Sequence, residues 1–130
     1  MNRDELKREL TNVVYMASGI RTGAIQAFEQ KDYAGAMGNA AEGIRLLEST
    51  VAKYPEMDEI FAPYLFTFYA VRASSHYEMG RATKNADLIR RALQDIGKAS
   101  SDPPSAATHE QRSAVQQLQR DILQALKRFR

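Results

Sequence analysis

The chain has 130 residues, 44% of them apolar and 26% charged, with a formal net charge of +2. That length suits one domain with a core of its own, and the balance of charge excludes a broadly basic nucleic-acid surface. Cysteine is absent, which removes disulfides, thiolate metal sites and cysteine nucleophiles together, and no apolar run approaches the ~18 residues of a membrane span.

The first element is expected from Asp4 to about Gln30, where Leu6, Leu10, Val13, Ala17, Ile20, Ala24 and Phe28 recur at three- and four-residue steps. Asn2 or Asp4 can cap it. The N-terminus, Met-Asn-Arg-Asp-Glu-Leu-Lys-Arg, carries no apolar stretch, so a secretory leader is not expected and the cytoplasm is the expected location. Lys31-Asp32-Tyr33 breaks the register, with Asp32 as N-cap of a second helix that runs to about Lys53 and stops at Tyr54-Pro55. Small residues mark both helices: Gly19, Gly23 and Ala27 on the first, Ala36, Ala40 and Gly43 on the second. A helical glycine costs about 1 kcal/mol relative to alanine. Such stripes therefore imply either close approach of two backbones or a groove open to an incoming helix.

The third helix is expected to end at Met79, with Gly80 as a left-handed C-cap and Pro63 in its first turn or at a kink. Six of the eleven aromatic residues lie between Phe61 and Tyr77. At 100° per residue they form two faces. Phe61, Tyr64, Leu65 and Phe68 make one; Phe66, Tyr69, Ala73 and Tyr77 make the other. Only a narrow polar strip with Thr67, Ser74 and Glu78 remains. Such a helix is central to a bundle or shows one aromatic face to a partner. The second face, Phe66, Tyr69, Ala73 and Tyr77, is the candidate protein-binding surface. A fourth helix is expected over about Thr83 to Ala99. The run Ser100-Ser101-Asp102-Pro103-Pro104-Ser105 then reads as a linker. The last helix starts near Thr108, with Val115, Leu118, Ile122, Leu126 and Phe129 on one stripe. No strand pattern survives.

The expected architecture is all-α: an antiparallel four-helix bundle over residues 1–101, a linker over 102–108 and an additional C-terminal amphipathic helix over 109–130. That helix is expected either to pair with a second copy as a homodimer or to act as a lid. As a lid it would cover the aromatic face of the third helix, with its basic end near Glu56, Asp58 and Glu59.

Chemistry is sparse. His76 and His109 have no carboxylate three residues before them, so no helical metal motif is present. No phosphate loop, nucleophile elbow or serine with an evident base occurs, and neither catalysis nor a cofactor is expected. Glu56, Asp58 and Glu59 suit a helix start. Residues 109–130 hold five Lys/Arg against Glu110 and Asp121, as expected near a helix C-terminus, so no nucleic-acid partner follows. His76-Tyr77-Glu78-Met79-Gly80 is similar to the His-x-x-Lys-Gly run of histidine phosphotransfer domains, with Met79 in the lysine position.

Three stretches resemble the FliS-type flagellin export chaperone family: Ala27-Phe28-Glu29-Gln30-Lys31-Asp32-Tyr33, Leu65-x-x-Phe68-Tyr69-x-Val71, and Ala92-Leu93-x-x-Ile96-x-x-Ala99-Ser100. That resemblance spans roughly Asp4 to Ser100. It implies a cytoplasmic helical bundle that holds an amphipathic helix of a flagellin-like client before secretion. Lys31-Asp32-Tyr33-x-x-Ala36 and Tyr69-x-x-Arg72-Ala73-x-x-His76-Tyr77-x-Met79-Gly80 resemble the tetratricopeptide repeat, which implies a protein-binding adaptor. Lys31 and Gly80, the equivalent positions, are 49 residues apart, wider than that family's repeat of about 34. Both resemblances imply protein recognition.

Overall fold

The computed structural model describes residues 2–101 and 103–129. Met1, Asp102 in the expected linker and Arg130 at the end of the expected last helix lie outside the described residues. The chain is an all-α helical bundle of five helices: α1 (Arg3–Glu29), α2 (Tyr33–Lys53), α3 (Asp58–Thr83), α4 (Ala86–Ser101) and α5 (His109–Lys127). One 3-10 turn, Pro55–Met57, leads into α3.

Local chemistry sets most of the boundaries. Asn2 Oδ1 accepts from the Glu5 N–H at 2.8 Å and Asp32 Oδ1 from the Gly35 N–H at 3.0 Å, so both expected caps are in place. Thr108 and Gln111 close a reciprocal capping box on α5. The end of α3 differs from expectation. The helix runs through Gly80 to Thr83, and Lys84 takes the left-handed cap position at φ 53°, so α4, expected from Thr83, starts only at Ala86. It then continues through Ser100 and Ser101 of the expected linker. Gly80 is buried in the helix instead, because Ile89 of α4 packs where its Cβ would stand. Close approach, not backbone freedom, accounts for this glycine. Pro63 sits inside α3.

Each helix packs on the next in sequence, and α3 also meets α1 and α5. The starts of α1 and α3 lie together, as do the ends of α3 and α5. Thus α1, α3 and α5 run one way, forming one layer, with α2 and α4 returning behind them. Among the described residues, α1 and α4 make no close backbone approach, so the bundle is open on that side. Leu47, Phe61, Phe68, Ile89, Ile96 and Ile122 are fully buried and tie all the helices except α1 into one core, which α1 joins through Val13 and Ala17.

The stripe of small residues on α2 is a packing device. Ala36, Ala40 and Gly43 are buried, and the ring of Phe68 lies against Gly43 so closely that any Cβ would overlap it. On α1 the outcome is mixed: Gly23 faces Asn39, whereas nothing stands near Gly19.

The C-terminal helix folds back on its own chain. Val115, Ile122 and Ala125 join the core and α5 packs mainly on α4. Its tether is fastened as well. The Arg112 guanidinium donates to the carbonyls of Pro104 at 3.1 Å and Ala107 at 3.3 Å. Helix α5 does reach Phe66 of the aromatic face, through Val115, but the orientation expected of a lid is not what is found. The basic end of α5 lies by Arg81 and Lys84 at the far end of α3, away from Glu56, Asp58 and Glu59. The direction of α5, parallel to α3, is the reason. Among the described residues no helix is long and apolar enough to cross a membrane.

Candidate helix-binding face

The expected surface on α3 is largely inside the molecule. Ala73 is fully buried, Phe66 and Tyr69 are 9% and 8% exposed, and only Tyr77 is half-buried. Phe66 lines a small cavity with Ala99 and Ser100 of α4, Pro103 of the tether, and Arg112 and Val115 of α5. Tyr69 donates its hydroxyl to Glu48 Oε2 at 2.9 Å, while Lys98 stands 5.1 Å above its ring. Burial and that hydrogen bond push the Tyr69 phenol up to about 12. Phe66, Tyr69 and Ala73 are therefore core, because α3 is enclosed by helices on both aromatic sides.

Next to Tyr69 is a buried charge cluster. Arg72 binds Asp95 of α4 in fork geometry, with both distances 2.9 Å. His76, one turn on, places Nδ1 3.4 Å from Asp95 Oδ2 without a well-aligned hydrogen bond. Burial pushes the Asp95 carboxyl up, but His76 and the Arg72 guanidinium outweigh it and hold the group below its ordinary value. Here His76 closes an α3–α4 contact and its Nδ1 is buried, an arrangement unsuited to receiving a phosphoryl group at that atom. Among the described residues no cluster of His, Asp and Glu could hold a metal ion.

The strip of α3 along which pockets open holds Thr67 and Ser74 of the expected polar strip, together with apolar residues and without Glu78. Ile60, Tyr64, Thr67, Val71 and Ser74 follow each other at four- and three-residue steps, hence on one stripe. Two apolar pockets lie along it. The first, about 480 Å³, is lined by Leu6, Leu10, Val14, Met57 and Ile60, with Arg3 and Lys7 among its polar wall. Ile60 is 54% exposed there. The second, about 230 Å³, lies between Phe28, Phe66, Thr67, Ala70, Val71 and Ser74 on one side and Gln111, Ala114 and Val115 of α5 on the other, so Phe66 of the expected surface lines it although it is only 9% exposed. Between them Tyr64 bridges α1 and α3: its hydroxyl is 3.3 Å from Ser18 Oγ, and Arg21 stacks 4.3 Å from the ring centroid.

Along α3, Ile60 and Val71 are eleven residues apart, about 16 Å at 1.5 Å per residue. Arg3, Lys7 and Arg21 border this face, and no carboxylate lines either pocket. Its chemistry is therefore an apolar channel with cations on its α1 side, and with the exposed Glu56 and Glu59 beyond Met57 and Ile60 at the start of α3. The sequence carried a signal for it in Thr67 and Ser74, but which side of α3 the other helices leave uncovered is a tertiary fact.

A third cavity, about 590 Å³, opens where α3 and α5 end, among Tyr77, Arg81, Lys84, Ile89, Asp121, Arg128 and Phe129. Its cations sit at two helix C-termini, where they offset the negative ends of the dipoles. In comparisons with protein-family models, curated proteins and solved structures, nothing matches this chain.

Proposed function

We propose that this protein is a non-catalytic binding module that holds an amphipathic helix of a client protein along the α1–α3 channel. The observation that carries the reading is the pair of apolar pockets on one stripe of α3, about 16 Å apart. A client helix lying along the stripe meets both pockets with apolar side chains three turns apart, in the helix-in-groove mode. Its flank is acidic, facing Arg3, Lys7 and Arg21. Its most concrete form is a cytoplasmic export chaperone of the FliS type, with a flagellin-like client. The layering of α1, α3 and α5 in one direction favours the alternative form, a stack of helical hairpins acting as an adaptor of tetratricopeptide type.

Fluorescence anisotropy with two labelled helices tests this. One is a designed peptide with an acidic flank and leucines eleven residues apart; the other is a terminal helix of a flagellin. Ile60→Asp and Lys7→Glu, both at exposed positions, should weaken binding of the designed peptide without unfolding the protein. Binding of the flagellin helix with the same sensitivity supports the export form; binding of the designed peptide alone supports the adaptor. Peptide binding indifferent to both substitutions, or no binding of either peptide, would overturn the reading.

A further inference from the structure

A different face, the outer side of α2, carries a seam of its own. Gly38, Glu42, Arg45 and Ser49 are all exposed and follow each other at steps of four, three and four, the spacing by which one helix meets another along a coiled-coil seam. They line a shallow groove of about 530 Å³ whose shoulder is Met16 and Ile20 of α1 with Leu46 of α2. Met16 is 49% exposed. Neither Glu42 nor Arg45 is in any ion pair found among the described residues.

The order of these residues decides what fits. Lay a second α2 antiparallel on the first, with a two-fold axis between Gly43 and Ile44. Glu42 then faces the partner's Arg45, Gly38 faces the partner's Ser49, and Ala41 faces the partner's Leu46. Opposite charges meet, and small residues meet at the outer step, so the seam is complementary to itself, as a two-fold interface requires. Gly38 is compatible with this. Nothing within 4 Å of it would contact a Cβ, as at Gly19 and Gly97, so a second backbone has room to approach there. The outer face of α4 is the opposite case. Arg90, Arg91, Gln94 and Lys98 are exposed there, and Asp87 beside them already pairs with Arg90, so the face is net positive and two copies would repel.

We infer that two copies of this chain associate through the outer face of α2, antiparallel, with reciprocal Glu42–Arg45 pairs at the centre. The α5 stripe, already spent on the chain's own core, is not the contact.

Sedimentation of the full chain across a wide concentration range, with two charge reversals, tests this. Glu42→Arg places two arginines opposite two arginines; Arg45→Glu does the same with glutamates. Each alone should raise the dimer dissociation constant at least about tenfold. Mixed in equal amounts, the two variants should restore a dimer, because each then presents the other's complement. Gly38→Leu should abolish it by bulk. Both charged positions are exposed and outside the core, and circular dichroism of each variant confirms the fold. A wild-type chain monomeric at every concentration would overturn the inference. So would a dimer that both reversals leave intact, which would place the contact elsewhere, or a failure of the mixture to recover.

Discussion

Replacing Gly43 with alanine should destabilise the protein, although the same change at Gly19 should stabilise it. Both glycines lie inside helices, where alanine is favoured by about 1 kcal/mol. At Gly19 a Cβ meets nothing within 4 Å, so the full gain of about 1 kcal/mol is expected. At Gly43 the new Cβ would lie 2.7 Å or closer to three ring atoms of Phe68. Carbon atoms rest at about 3.5–4.0 Å, so the ring must withdraw by about 1 Å. Phe68 is fully buried between helices, and no solvent side exists for it to move into. Overpacking of this kind costs about 1–3 kcal/mol, which outweighs the propensity gain and leaves a net loss of about 1 kcal/mol. The two variants should therefore differ by about 2 kcal/mol in urea unfolding followed by far-UV circular dichroism, with unchanged m-values. In melting temperature each 1 kcal/mol corresponds to about 3–5 °C for a chain of this size. Trimming the ring with Phe68→Leu in the Gly43→Ala background should recover stability, as a favourable coupling of about 1 kcal/mol in a double-mutant cycle. Stabilisation by Gly43→Ala equal to that by Gly19→Ala would refute the close approach of α2 and α3.

Asp95→Ala should cost about 3 kcal/mol, because Arg72 keeps its charge beside α4 and is three-quarters shielded from water; an effect near zero in urea titration would show that the cluster is solvated. The folded pKa of Asp95 lies below its ordinary 3.8, so its contribution to stability is present above that pH and is lost as pH falls through the folded value. An acid titration should accordingly show a loss of stability below the ordinary value that Asp95→Asn flattens. Ile122→Ala should cost about 2–5 kcal/mol, since its side chain is fully buried where α5 meets the core; a lid would lose almost nothing, which makes thermal denaturation of this variant decisive between lid and core. Thr108→Ala should remove the capping box of α5 at about 1 kcal/mol, with faster amide exchange in the first turn of α5 and unchanged exchange in α1.

The sequence by itself determined the helices and their ends where the determinants are local. Asn2, Asp32 and Thr108 each offer an oxygen to an N–H three residues on, and Tyr54-Pro55 ends α2, all within one turn of chain. The end expected at Gly80 failed for a non-local reason: the glycine makes room for Ile89, which arrives from the next helix, and the start of α4 moves with it from the expected Thr83 to Ala86. The periodicity of α3 was also legible, including its two aromatic faces and the strip of Thr67 and Ser74. Which face would stay open was not. A helical stripe records only that a side is apolar, and the same pattern suits a core or a partner's groove. Tertiary structure decided it by setting α4 and α5 beside Phe66, Lys98 of α4 and Glu48 of α2 against Tyr69, and Gly43 of α2 against Phe68, which left Ile60, Thr67, Val71 and Ser74 along the channel. The direction of α5 is decided the same way. Its stripe of Val115, Ile122 and Ala125 demands burial, but only the return of the chain past Pro104, held there by Arg112, places it parallel to α3 with its basic end beside Arg81 and Lys84.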